Sequence, residues 1–168
     1  IARSNFPDID FRQADMVKLD INERFDVIIC LYSSIGYVKT KANLKRTLNN
    51  FSKQLKTGGV VIVEPWFTKS TYRTGIPNVT TYCSGEIKIV KACTPKIVNG
   101  LSIMDLNYLI AEKGKEVRHV IDRHEMGLFE IDETLRMMKD VSFSARYLKD
   151  GLMKNRGLYV GVKKIIRK

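Results

Sequence analysis

Cysteine, proline, histidine and tryptophan are all scarce in this sequence: three, four, two and one residues respectively. The cysteines are Cys30, Cys83 and Cys93. An odd number with no Cys-x-x-Cys spacing excludes a disulfide framework and speaks against a zinc site. No metal is therefore expected, and a reducing, cytoplasmic setting is. No His-Glu-x-x-His helix, phosphate-binding Walker loop or Ser-His-Asp elbow is present. Long hydrophobic runs are missing as well. The longest, Val27 to Tyr32, falls far short of the roughly 18 residues a membrane span requires. Acidic residues are in deficit, 18 against 29 Lys and Arg, which leaves a formal charge of +11. That balance suits nucleic acid, an anionic membrane face or an anionic small substrate. The basic residues are dispersed, with no block of five, so nucleic acid is not the expected partner. The densest cluster, Lys163-Lys164 with Arg167-Lys168, reads as a solvated tail.

What remains is ordinary globular material: 168 residues, 44% hydrophobic and 28% charged. The length predicts a single domain over 1–168 with a core of its own. Residue 1 is isoleucine, and Ile1-Ala2-Arg3-Ser4 reads as the end of a helix, so further residues are expected upstream.

The periodicity predicts a βαβ unit. Residues 9–14 form a short strand candidate ending at Asp15-Met16. Phe25 to Tyr32 is nearly continuous in apolar residues, as in a parallel strand buried on both faces. Leu44, Leu48, Phe51 and Leu55 lie on one face of a helix over about 41–55. Gly58-Gly59 is expected to stop that helix, and Val60 to Glu64 is the next strand. Beyond Pro65 the period changes. Stretches 79–92, 101–111 and 117–129 predict an inserted antiparallel meander over 79–129. A helix over 131–141, with Asp132 as N-cap, and strands 144–148 and 157–163 complete the chain.

Ligands of open α/β sheets bind beyond the carboxyl ends of the strands. Three such ends carry suitable chemistry. Asp15 offers an acceptor for an exocyclic amine, and Met16 a soft wall for a flat ring. Ser33-Ser34-Ile35-Gly36-Tyr37 brings small residues that let a ligand approach the backbone. Glu64-Pro65-Trp66-Phe67 sets a carboxylate beside two large aromatics. His119 and His124 fall on opposite faces of their strand, so they make no compact metal pair. Either imidazole can take a proton near neutral pH.

The order Asp15-Met16, Phe25-Asp26-Val27-Ile28-Ile29-Cys30 and Leu55-Lys56-Thr57-Gly58-Gly59-Val60-Val61-Ile62-Val63-Glu64-Pro65 resembles that of class I S-adenosylmethionine-dependent methyltransferases. Ser33 to Tyr37, Glu64-Pro65-Trp66, Val117-Arg118-His119, His124, Leu128-Phe129 and Arg156 to Val162 narrow the resemblance. They point to the N,N-dimethyltransferases of nucleotide-linked amino sugars. The resemblance implies an α/β, Rossmann-like methyltransferase sheet with its N-terminal strands missing. The family's glycine-rich loop and ribose-binding acid are absent, and would lie upstream of Ile1.

The resemblance also implies roles. Asp15, Met16, Leu31 and Ser33 would hold S-adenosylmethionine, Leu31 through its carbonyl. Tyr37, Trp66 and His124 would face a small-molecule amine acceptor, a sugar nucleotide among the candidates. His124, with Tyr37 in reserve, would take the amine proton, and Arg156 would meet a substrate phosphate. A homodimer is a further expectation. The alternatives left open are an RNA or protein methyltransferase and a non-catalytic binding module.

Overall fold

Thr40 starts the helix that organises the first layer, its hydroxyl accepting from the Asn43 N–H at 3.1 Å. The computed structural model describes residues 1–153 and 156–165, so Arg167 and Lys168 of the basic cluster lie outside the described residues. A single helical turn, α1 (Ala2–Asn5), opens the chain. β1 (Phe25–Cys30) leads through a 3-10 turn (Ser34–Val38) into α2 (Lys41–Gln54) and then β2 (Leu55–Val63). β1 and β2 pair in parallel, giving the expected βαβ unit. The α2 stripe of Leu44, Leu48 and Phe51 is buried together with Leu55, Val61 and Val63. Closing the sheet are α3 (Ile131–Asp140), β8 (Phe143–Leu148) and β9 (Leu158–Lys163), in strand order β1-β2-β9-β8 with both later pairings antiparallel.

Between β2 and α3 a second, wholly antiparallel sheet is inserted. It holds β3 (Asn78–Cys83), β4 (Ile87–Cys93), β5 (Lys96–Val98), β6 (Leu101–Glu112) and β7 (Arg118–Gly127). The predicted strand over 79–92 is two strands, divided at Ser84, whose hydroxyl accepts from the Ile87 N–H. β5 was not anticipated. Asn99 and Gly100, both left-handed at φ 51° and 78°, fold it back onto β6 in a two-residue hairpin. Among the described residues no helix is long and apolar enough to cross a membrane.

Several local expectations need correction. Residues 9–14 are not a strand. A strand needs a neighbour to satisfy its backbone, and among the described residues β1 pairs with β2 alone. The segment that follows is pinned by side chains of α2 instead. Asn50 Nδ2 donates to the Met16 and Val17 carbonyls, and Gln54 Nε2 donates to Leu19. β1 is buried on one face only, with Val27 and Ile29 53% and 61% exposed. On that open side Val27, Val60 and Val162 align across three strands, as do Ile29, Ile62 and Val160.

The α2 helix stops at an extended Leu55, before the glycines. Gly58, at φ 79°, serves the irregular start of β2, where the register with β1 shifts. The α3 N-cap is Glu130, whose carbonyl accepts from Thr134 N and Oγ1. Asp132 lies within the first turn, where its charge complements the helix dipole.

Candidate active site

The turn after β1 is the most constrained backbone of the site. Tyr32 and Ser33 both adopt left-handed φ values, 54° and 56°. Such conformations cost about 1–2 kcal/mol for residues other than glycine and persist only where surroundings over-determine them. Here they do. Glu64, at the tip of β2, accepts from the Tyr32 N–H at 2.7 Å through Oε2, and its own N–H donates to the Cys30 carbonyl at 2.8 Å. Ser33 Oγ donates to the Pro65 carbonyl at 2.8 Å and accepts from Arg156 Nη1 at 2.6 Å. Glu64 is 2% exposed, and its Oε1 is buried without a hydrogen-bond partner among the described residues.

Arg156 spreads over aromatic surface, 5.2 Å from the Trp66 ring centroid and 5.5 Å from that of Phe67. Trp66 Nε1 donates to Ser102 Oγ at 2.9 Å, and Ser102 donates to the Met126 carbonyl at 3.2 Å. The first of these bonds fastens the second sheet to the strand tips, and the second holds Ser102 in place within that sheet. Gly36 permits the same close approach, since a Cβ there would stand 2.8 Å from Met126 Cε and 3.3 Å from Trp66 Cβ. The Lys39–Glu125 ion pair at 2.9 Å is a further tie.

Across this seam runs a line of three polar side chains. Tyr37 Oη lies 2.5 Å from His124 Nδ1, and His124 Nε2 lies 3.0 Å from Asp122 Oδ2. An ionised carboxylate can only accept, so Nε2 carries the proton and Nδ1 is the acceptor for the tyrosine O–H. Burial, and secondarily the Asp122 charge, raises the Tyr37 pKa above its ordinary value. Tyr37 therefore holds its proton as a donor to the imidazole. Tyr37, Trp66, His124 and Arg156 line one open hollow of about 470 Å³, together with Tyr32 and Met126.

The four residues expected to hold a cofactor are placed differently, and none of them lines this hollow. Asp15 accepts from the Val17 N–H through Oδ1, closing its own turn, while Oδ2 has no partner among the described residues. Met16 packs against the core. The Leu31 carbonyl already accepts from both Ser34 N and Ser34 Oγ, at 3.1 and 2.7 Å. Two bonds fill a carbonyl's acceptor capacity, so in this arrangement it has none to offer a ligand. Ser33 is fully buried and committed to Pro65 and Arg156. His119 bonds Asn107 at 3.0 Å, on the opposite face from His124. Among the described residues no three His, Cys, Asp or Glu side chains gather as a metal site.

Sequence reasoning did not single out Asp122. The signal was present: two residues before His124 on a strand is the same face. Lys91 also lines the hollow and was likewise missed.

A parallel βαβ core whose strand tips face an inserted antiparallel sheet is a Rossmann-like arrangement with an added cap. Comparison with known proteins is specific. No family model matches the chain. It is 30% identical over 161 residues to the dTDP-3-amino-3,4,6-trideoxy-alpha-D-glucopyranose N,N-dimethyltransferase of Streptomyces venezuelae, covering 96% of this chain and 68% of the relative. The crystal structure of Streptomyces venezuelae DesVI superposes with a TM-score of 0.89 at 30% identity, over 96% of this chain and 68% of that one. The S-adenosylmethionine-bound amino pentose methyltransferase CalS10 of Micromonospora echinaspora shares the fold, with a TM-score of 0.87 at 20% identity over 97% of this chain and 68% of that one. The chain belongs to the S-adenosylmethionine-dependent N,N-dimethyltransferases of nucleotide-linked amino sugars. It spans between 63% and 68% of the length of the curated relatives it matches.

Proposed function

We propose that this protein transfers methyl groups from S-adenosylmethionine to the amine of a sugar linked to a nucleoside diphosphate. The observation that carries this reading is the Asp122–His124–Tyr37 line opening on a hollow walled by Trp66 and Arg156. S-adenosylmethionine, when bound, supplies a methyl group on a sulfonium, which an amine can displace in line. The residues present fit part of that cofactor. Asp15 Oδ2, without a partner among the described residues, would accept from an exocyclic amine, while Met16 packs against the core.

The chain's own task is to position the amine and to handle its proton. An amine attacks only when its lone pair is free, and it is left with a surplus proton after methylation. Tyr37 Oη has lone pairs to accept the amine N–H. As that proton arrives, the tyrosine's own O–H proton passes to His124 Nδ1. The imidazole becomes a cation, held through Nε2–H by the Asp122 carboxylate. Tyr37 is thus the group in contact with the amine, and His124 and Asp122 act behind it. Positioning of the amine contributes the larger share, several kcal/mol in well-oriented reactions.

Cys30, Cys83 and Cys93 are free thiols, which suits a reducing compartment, and the cytoplasm is the proposed location. The test is direct. The protein is incubated with S-adenosylmethionine and dTDP-linked amino sugars, and the products are weighed by mass spectrometry. Addition of one or two methyl groups to the amine is expected. A folded protein that methylates no amino-sugar nucleotide would refute the reading.

A further inference from the structure

The hollow is lined by two cations, Lys91 and Arg156, and by no carboxylate among the described residues. Lys91 is half-buried on β4, and its ammonium makes no ion pair or hydrogen bond with any described residue. Arg156 has only neutral partners, Ser33 Oγ and Met153 Sδ, and lies across Trp66 and Phe67. Partial burial of a charge is unfavourable until a counter-charge reaches it. The fixed guanidinium keeps further N–H donors for a planar anionic group, and the lysine adds a mobile point charge.

Lys91 and Cys93 share one face of β4 with Met104, Leu106 and His124 of the neighbouring strands. Cations and proton relay therefore open on the same hollow, with an apolar floor between them. We propose that Lys91, together with Arg156, clamps the diphosphate of the acceptor and so sets the enzyme's preference for nucleotide-linked sugars over free ones. This rests on reading the hollow as the acceptor site. The diphosphate bridges the two cations, and the sugar lies over Met104 and Leu106 with its amine at Tyr37.

The test uses thymidine diphosphate and uncharged thymidine as probes, with calorimetric binding to the protein and to Lys91→Ala, Lys91→Arg and Lys88→Ala. Lys88 is the control, an exposed lysine whose position on β4 faces the other side of the sheet. Loss of one charge-assisted contact predicts about a tenfold weaker thymidine diphosphate complex for Lys91→Ala. Recovery is expected in Lys91→Arg, with no change in Lys88→Ala. Thymidine affinity should not move, and the loss in catalysis should fall on KM for the acceptor rather than kcat. Equal thymidine diphosphate affinity in Lys91→Ala and wild type would overturn the clamp while leaving the methyl-transfer reading intact. Tight, Lys91-dependent binding without methylation of any sugar nucleotide would support the clamp and refute that reading instead.

Discussion

Replacing Tyr37 by Phe removes one oxygen from the relay and leaves the ring in place. The ring, 6.0 Å from the His124 imidazole between centroids, keeps its packing. The stability cost is that of one partly exposed hydrogen bond, about 1 kcal/mol or less. The effect on rate is separate. General acid–base assistance is typically worth about 10²–10⁴-fold, and an amine that loses its proton to water recovers part of that. A fall in kcat of about 10- to 100-fold is expected, equivalent to about 1.4–2.7 kcal/mol of barrier. The deficit should shrink as pH rises, because the amine then arrives neutral without help.

Asp122→Asn sharpens the same test. An amide can donate to Nε2 and drive the imidazole proton to Nδ1, where it blocks transfer from Tyr37. That variant should match Tyr37→Phe in rate and pH profile, and the double variant should be no slower than either single one. The assay is steady-state methylation against pH, with circular dichroism as the folding control. Full kcat in Tyr37→Phe, or rate losses that multiply in the double variant, would refute the relay.

Three further outcomes are expected. Asp15→Ala should weaken S-adenosylmethionine binding by about 1–3 kcal/mol, the usual effect of leaving a polar partner unmet; unchanged calorimetric affinity would remove Asp15 from the cofactor site. Burial pushes the Tyr159 hydroxyl up to about 12 from its ordinary 10.0. Its contribution of about 2–3 kcal/mol is therefore complete below about pH 10 and lost as pH rises toward 12. Urea unfolding at pH 8 and 11 should show this loss in the protein and a shallower one in Tyr159→Phe. Leu48→Ala, at a site 1% exposed, should cost about 2–5 kcal/mol by leaving a cavity under β2, which thermal unfolding would detect.

Local patterns foretold those elements whose partners are near in sequence. The Leu44, Leu48 and Phe51 stripe specified α2 because the helical period survives any context. The parallel β1–β2 pair followed from the helix between them. Elements that depend on distant partners were less legible. Residues 9–14 alternate like a strand, but a ladder needs an adjoining edge, and the side-chain amides of Asn50 and Gln54 secure the following backbone instead. The apolar run of β1 implied burial on both faces, whereas apolar content cannot say which faces are covered.

In the site, Tyr37, Trp66, His124 and Arg156 were recognised singly and meet in one hollow. Their proposed order of action was hidden, since it depends on a tautomer set by Asp122. The committed carbonyl of Leu31 was equally hidden, because Ser34 bends back onto it in three dimensions.

The apolar rows Val27–Val60–Val162 and Ile29–Ile62–Val160 have a consequence for the protein in solution. Oily stripes of this kind draw molecules together, and the net charge of +11 holds them apart at long range. Salt weakens only the second force, because the Debye length shrinks from about 30 Å at 0.01 M to about 3 Å at 1 M. Dilute buffer should keep this chain dispersed, while concentrated buffer should favour clustering and uptake of hydrophobic dyes, the reverse of the salting-in expected of a merely charged surface.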